Sequence, residues 1–325
     1  MITLALIIGF FYGYVSVKGQ FCMNSGFSNV TRKKDTTKLK SYILAILIQI
    51  VALPILFTSL FYIESTNTLI NTIYLPPLYL VGNVLGGFLF GIFMHYTAGC
   101  GAGIFYKIGE KNTGAIFAVI GFVAGVYVLE KGFLVFIKEA GQSITLFNQN
   151  PIWRFSSSKV ATFAAATIVS IIALALILIL LKKEDKKPDG ADWGWKKTGL
   201  SIGALGVLAW MSAILSHIPY GMSIIPGAID LIDFSISWGL LFVLGIPLGA
   251  FWSSRKNEKH FALPKPNIIG KRLIGGFGLG ASASVAAGCT VGHGLTFAPL
   301  LGIGSIVSII FIFLGSTLMG YLTRK

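Results

Sequence analysis

Residues 86–103, GGFLFGIFMHYTAGCGAG, and residues 275–292, GGFGLGASASVAAGCTVG, are two versions of one stretch. They align without a gap at an offset of 189 positions, match at 8 of 18 residues and set Cys100 against Cys289. In each, an apolar lead-in ends at Gly-Cys and is followed by small residues that do not continue a stable helix. This is the signature of a helix interrupted inside an apolar region. Irregular backbone at membrane depth is tolerated only where it is buried in protein or lines a cavity, so the pattern bears directly on the fold. The one remaining cysteine, Cys22, lies in a third glycine-flanked stretch, GQFCMNSGF, residues 19–27. Glycine and alanine recur in membrane helices simply for close packing. The shared placement of cysteine is therefore what favours a repeat over chance similarity.

Working outward, 54% of the 325 residues are apolar and only 12% are charged, and the mean hydropathy is +0.79. A soluble domain carries about twice that share of charge. Continuous apolar runs at residues 42–63, 114–136 and 160–181 are long enough to cross ~30 Å of hydrocarbon. Because the runs are unbroken rather than alternating, a β-barrel is excluded. The expected fold is an all-α polytopic membrane protein with about nine transmembrane helices. These fall at residues 2–17, 42–63, 75–97, 114–136, 160–181, 198–216, 234–252, 268–287 and 299–321. Residues 1–17 lack a basic leading segment and a small-residue cleavage site, so the first span is expected to be retained.

The net charge of +14 does not read as a nucleic-acid footprint, because it is sorted by side. With the loop after the first span cytoplasmic, 22 of the 26 basic residues share that side, and only Lys131, Lys138, Arg154 and Lys159 face the other. This is positive-inside asymmetry, and it puts the N-terminus outside and the C-terminus in the cytoplasm. A polar linker at residues 182–197, beginning KKEDKKPDGADW, divides the chain into halves of about 1–181 and 198–325. The spans leading to Cys100 and Cys289 then run in opposite directions, as in pseudo-symmetric inverted repeats. In such transporters the substrate site lies at the midplane, where broken helices from both halves meet. A weaker upstream match sets residues 9–23 against 206–222, so the counterpart of Cys22 falls near Tyr220 and no fourth cysteine is present.

Short re-entrant half-helices beginning at the breaks would turn free N–H groups and positive dipole ends toward one point. Gly99, Gly101 and Gly103 around Cys100, with Gly288, Thr290 and Gly292 around Cys289, would let an anion approach the main chain. Asn24 and Ser25 either donate to that anion or cap a helix. A thiol in a water-poor setting stays neutral, so it can donate weakly to a soft anion without repelling it. Successive weak sites favour passage over trapping. Other cysteine chemistries are less well supplied. A disulfide leaves an odd thiol, and His95, His217, His260 and His293 have no metal-ligand spacing. A cysteine nucleophile would have only His95 or His293 as a base. No cofactor is expected. Asp230 and Asp233 lie in IPGAIDLIDF (residues 225–234), a half-helix candidate of the second repeat, where a boundary position is favoured over a role in proton coupling; Trp153, Trp193 and Trp195 sit where interfacial anchors belong.

The segments GQFCMNSGF, HYTAGCGAGIFYKIGE and AAGCTVGHGLTF closely resemble the signature stretches of the YeeE/YedE sulfur-transport family of the bacterial inner membrane. The resemblance spans essentially the whole chain. It implies thiosulfate uptake, short half-membrane helices, and Cys22, Cys100 and Cys289 as three thiols that relay the anion by S–H hydrogen bonds. It also implies, for some members, a small cytoplasmic sulfurtransferase partner of the TusA/YeeD type, which here would be a separate chain. Residues alone leave thiosulfate, sulfite, sulfide and a selenium species open. They also leave open a membrane-bound sulfurtransferase that forms a persulfide, and a purely structural role.

Overall fold

The computed structural model of the chain describes residues 2–63, 73–147, 159–255 and 263–324. Glu64, Trp153, Arg154 and His260 lie outside the described residues. Among the described residues the molecule is a bundle of helices with one minimal antiparallel ribbon. The first half contains α1 (Thr3–Lys18), α2 (Met23–Arg32), α3 (Thr37–Ile63), strand β1 (Leu78–Tyr79), a π-helical turn (Gly82–Gly86) running into α4 (Gly87–Thr97), α5 (Gly101–Gly109) and α6 (Thr113–Glu130). Then come α7 (Val135–Gln142), strand β2 (Thr145–Phe147) and α8 (Lys159–Leu181). The second half contains α9 (Trp195–Leu215), α10 (Ile225–Ile232), α11 (Trp238–Ser254), α12 (Pro266–Val285), a second π-helix (Gly292–Phe297) and α13 (Ile303–Leu322).

Each of the nine expected spans corresponds to a long helix: α1, α3, α4 with its π-turn, α6, α8, α9, α11, α12 and α13. Among the described residues seven helical runs are long and apolar enough to cross a membrane, taking α1–α2 and α4–α5 as single runs; α11 is a shorter apolar helix, and α12 is not among the seven. Several boundaries differ, among them the starts of α11 at Trp238 and α13 at Ile303. Residues 75–79 are not helical, because Pro76 and Pro77 cannot continue a helix and bias the preceding backbone outward. α6 ends at Glu130, and residues 135–142 form the separate helix α7.

The order of elements recurs. In both halves a long helix is followed by a break and a short helix, then two more long helices, a Gly-Cys break, a second short helical segment and a last long helix. The packing follows the same exchange. α1 lies on α11 while α9, its positional counterpart, lies on α3; α6 lies on α12 while α13 lies on α4. Glycine permits these approaches. A Cβ on Gly13 would fall 1.9 Å from the Ile246 carbonyl oxygen, and one on Gly249 would fall 1.7 Å from that of Phe10. Gly121 and Gly125 of α6 press on Leu273 and Phe277 in the same way, and Gly276 and Gly280 of α12 press on Ala118 and Phe122. Two small-residue rows per pair let backbones touch, which is how helices associate when no hydrophobic force distinguishes neighbour from lipid.

α8 is different. Its outer face, including Ile168, Ile171, Leu178 and Ile179, is exposed, and it packs chiefly on α3. The following linker folds back onto the bundle: Asp192 and Trp193 N–H groups donate to the Lys18 carbonyl, and Lys18 pairs with Asp192 at 2.7 Å and Lys33 with Asp189 at 2.8 Å. Trp195 is not an interfacial anchor. It is fully buried, with its indole N–H donating to the Glu184 carbonyl at 2.8 Å, because the linker covers it.

Candidate functional site: three thiols at helix starts

The three cysteines occupy equivalent local positions. Cys22 is the residue before α2 and Cys100 the residue before α5. The His293 N–H donates to the Cys289 carbonyl at 2.8 Å, so the helical segment that continues into the second π-helix starts at Cys289. Two of the long helices leading into these breaks end in the same way. Ala98 after α4 and Ala287 after α12 both take left-handed backbone (φ 52° and 59°), and they are matched positions of the sequence repeat. At the first break the Lys107 ammonium donates to the Ala98 carbonyl, placing a cation on the open C-terminal end of α4. Asn83 steadies the second break. It is fully buried and its amide donates to Ser308 Oγ at 2.6 Å and to the Ala286 carbonyl at 3.3 Å.

All three thiols are free, and they come together in the bundle interior, with 3%, 3% and 0% of the surface of Cys22, Cys100 and Cys289 exposed. The first turn of α5 sits among them. A Cβ on Gly103 would lie 3.0 Å from Cys22 Sγ and 3.2 Å from Cys100 Sγ, and a Cβ on Gly101 would lie 3.3 Å from Cys289 Sγ. Cys22 and Cys100 are within hydrogen-bonding reach of each other. Main-chain donors complete the cluster. The Met23 N–H faces the Cys100 thiol, and the Cys100 N–H faces the Cys22 thiol. The N–H groups of Val291, Gly292 and Ile224 face Cys289.

Ile224 is the residue before α10, so it, and not a residue near Tyr220, stands where a fourth cysteine would be. The break after α1 holds residues 19–22, four in all; the break after α9 holds residues 216–224, nine in all. Those five extra residues displace the counterpart of Cys22 from the position the upstream match indicated. They are needed because the second break travels farther before its short helix starts, pairing the Pro219 carbonyl with the Tyr74 N–H on the way.

The other expected site residues divide by position. Gly101, Gly103, Gly292 and Thr290 belong to the thiol cluster. The Thr290 hydroxyl is buried near Cys100 without a conventional hydrogen-bond partner. Gly99 and Gly288 instead make room within their own turns, against Ile104 and the His293 ring. Asn24 lies in the first turn of α2; its side-chain oxygen is buried and unpartnered, and neither it nor Ser25 caps the helix. Ser25 donates back to the Cys22 carbonyl and receives Lys38 Nζ at 3.0 Å. Three tyrosines that sequence reasoning passed over, Tyr12, Tyr42 and Tyr106, are fully buried beside the thiols. Tyr42 donates to the Thr290 carbonyl at 2.6 Å, and Gly294 is its one trace in the sequence, since a Cβ there would meet the hydroxyl oxygen at 1.5 Å.

Bases for a thiol nucleophile are not placed to act. Both ring nitrogens of His293 are engaged, Nε2 with the Ala286 carbonyl at 2.8 Å and Nδ1 with Ser305 Oγ at 3.0 Å. His95 stacks its ring edge on Tyr96. Among the described residues no group of metal-ligating side chains is assembled. Asp230 and Asp233 sit at the far end of α10, accepting from Ser237 and pairing with Lys131.

Short helices that start inside a bundle, with their first N–H groups aimed at one enclosed point, make a membrane transport protein. The chain belongs to the family described as Sulphur transport, whose pattern matches residues 18–318. It is a transporter and not an enzyme. It is 30% identical to the Thiosulfate transporter TsuA of Spirochaeta thermophila over 99% of both chains. It is also 24% identical to the Thiosulfate transporter TsuA of Escherichia coli (strain K12), over 97% of this chain and 92% of that one.

Proposed function

We propose that this protein carries thiosulfate across the bacterial inner membrane by way of Cys289, Cys100 and Cys22, in that order from outside to inside. The observation that carries the reading is the gathering of three free thiols around the first turn of α5. A neutral S–H donates weakly to an anion, and main-chain N–H groups at the helix starts add positive potential with no full charge. Each stop is weak, so the ion moves on. Neighbours support the order: Ile224, at the start of α10, faces Cys289, whereas Lys38 and Lys107 act on Cys22. Residues 1–181 and 198–325 act as inverted halves. Each half crosses four times, and α8 supplies the fifth crossing that reverses the second. The N-terminus is outside and the linker cytoplasmic, where a separate TusA/YeeD-type sulfurtransferase would take up the ion.

The test is uptake in a strain lacking other thiosulfate systems. Cys22→Ala, Cys100→Ala and Cys289→Ala are each expected to abolish thiosulfate-dependent growth while reaching the membrane in normal amount. Full growth by all three sinks the relay. Mass spectrometry during active uptake separates passage from sulfur transfer, since a persulfide on any of the three would replace the relay with covalent chemistry.

A further inference from the structure

A second polar feature lies on the side of the bundle where α6 ends and α10 begins. It is a cavity of about 190 Å³ whose wall includes Glu130, Lys138, Gln142, Ser223, Ser284 and Ala287. A water occupies ~30 Å³ of liquid, so the space admits a small oxyanion with part of its hydration. Its inner wall is the backbone that holds the thiol cluster. Ser223 and Ile225 flank Ile224, whose N–H faces Cys289, and Ala287 is two residues before that cysteine. One observation marks the cavity as a ligand site. Lys138 and Glu130 meet across the wall as an ion pair at 2.5 Å, with their side chains only 27% and 16% exposed.

We propose that this cavity is the outer waiting site for the transported anion and that Glu130 is its latch: the Lys138 ammonium exchanges its carboxylate partner for the incoming ion. This deepens the transport reading and rests on it. Thiosulfate, a dianion with oxygen acceptors at one end, can take the ammonium through those oxygens. Partial burial strengthens both pairings relative to water. The carboxylate left behind then competes for Lys138, which keeps the site weak enough to release the ion toward Cys289. Opposite charges in one pair thus have opposite effects on the substrate.

That opposition is the test. Thiosulfate uptake is measured as a function of concentration in proteoliposomes carrying the wild type, Lys138→Gln, Glu130→Gln and the double variant, with thermal unfolding of each in detergent. Lys138→Gln is expected to raise KM, and Glu130→Gln to lower both KM and kcat, each by roughly two- to fivefold, the range of a partly exposed ion pair. A pair that merely ties α6 to α7 would lower melting temperature equally in both variants and move KM in the same direction or not at all, and either result overturns the proposal while leaving thiosulfate transport intact. Wild-type vesicles that take up no thiosulfate would overturn the transport reading, and this inference with it.

Discussion

At the scale of single residues, the thiol cluster is held by what is absent beside it. Gly103 gives its Cβ position to two sulfurs, so Gly103→Ala must push Cys22 and Cys100 by a few tenths of an ångström. Gly292 has only ordinary contact, at 3.5 Å to Ser223 Oγ. Gly103→Ala is therefore expected to cut the uptake rate at least severalfold with little loss of melting temperature, while Gly292→Ala keeps most of it. Equal rates for the two would mean that sulfur spacing is unimportant. The two left-handed alanines argue in the other direction. An L-residue there costs roughly 1–2 kcal/mol, more than the extra chain entropy of glycine. Ala98→Gly and Ala287→Gly should each raise stability by about 0.5 kcal/mol, read as a higher unfolding temperature in detergent. Sequence reasoning recognised Gly-Cys as a break but not these alanines, because a left-handed residue is usually glycine and here Lys107 completes the first turn instead.

Among whole elements, glycine rows decide which helices meet. A side chain on Gly249 has no space beside the Phe10 carbonyl, so Gly249→Val must separate α1 from α11. Overpacking a tight contact costs about 1–3 kcal/mol, and the variant should unfold at a lower temperature or fail to accumulate. Gly270→Val, at a position with no neighbour within 4 Å, serves as the control and should behave as wild type. The number and rough extent of the long helices were legible in hydropathy alone. Pairing was not: mean hydropathy is similar on every face of these helices, and a glycine in sequence does not say whose carbonyl it admits. The short helices were legible in part. Glycine-flanked cysteine marked three of them, and IPGAIDLIDF marked α10, but its start at Ile225 depended on a break of nine residues whose course is set by tertiary contacts with Tyr74.

For the molecule as a whole, the linker between the halves is a docked strap. The hydrogen bond and charge of Lys33 hold the Asp189 carboxyl below the ordinary carboxylate range. A depressed folded-state value means the contact is complete at neutral pH and is lost as pH falls through that lower value; it is not lost on the alkaline side. Protection from hydrogen exchange across residues 182–194, taken relative to the intrinsic rate at each pH, should accordingly fall on strong acidification and in high salt, where exposed pairs are screened. Asp189→Asn should show the faster exchange already at neutral pH. Unchanged exchange in that variant would mean that the strap is held by its other ties, the Lys18 contacts and the Trp195 indole, without the Lys33 pair.

Composition and patterning by themselves determined an all-α membrane protein, the rough extent of its long helices and two matched Gly-Cys breaks. Each of these is written in local physics: the length of an apolar run and the failure of small residues to continue a helix. Only the tertiary structure decided that Cys22 joins the other two around one helix turn, that Ile224 precedes α10 as Cys22 precedes α2, and that Lys138 and Glu130 pair at a cavity whose wall includes Ala287. Those facts depend on which backbones touch. In a bundle whose faces are nearly equal in hydropathy, contact is chosen by steric fit between distant segments, and no single segment contains that information.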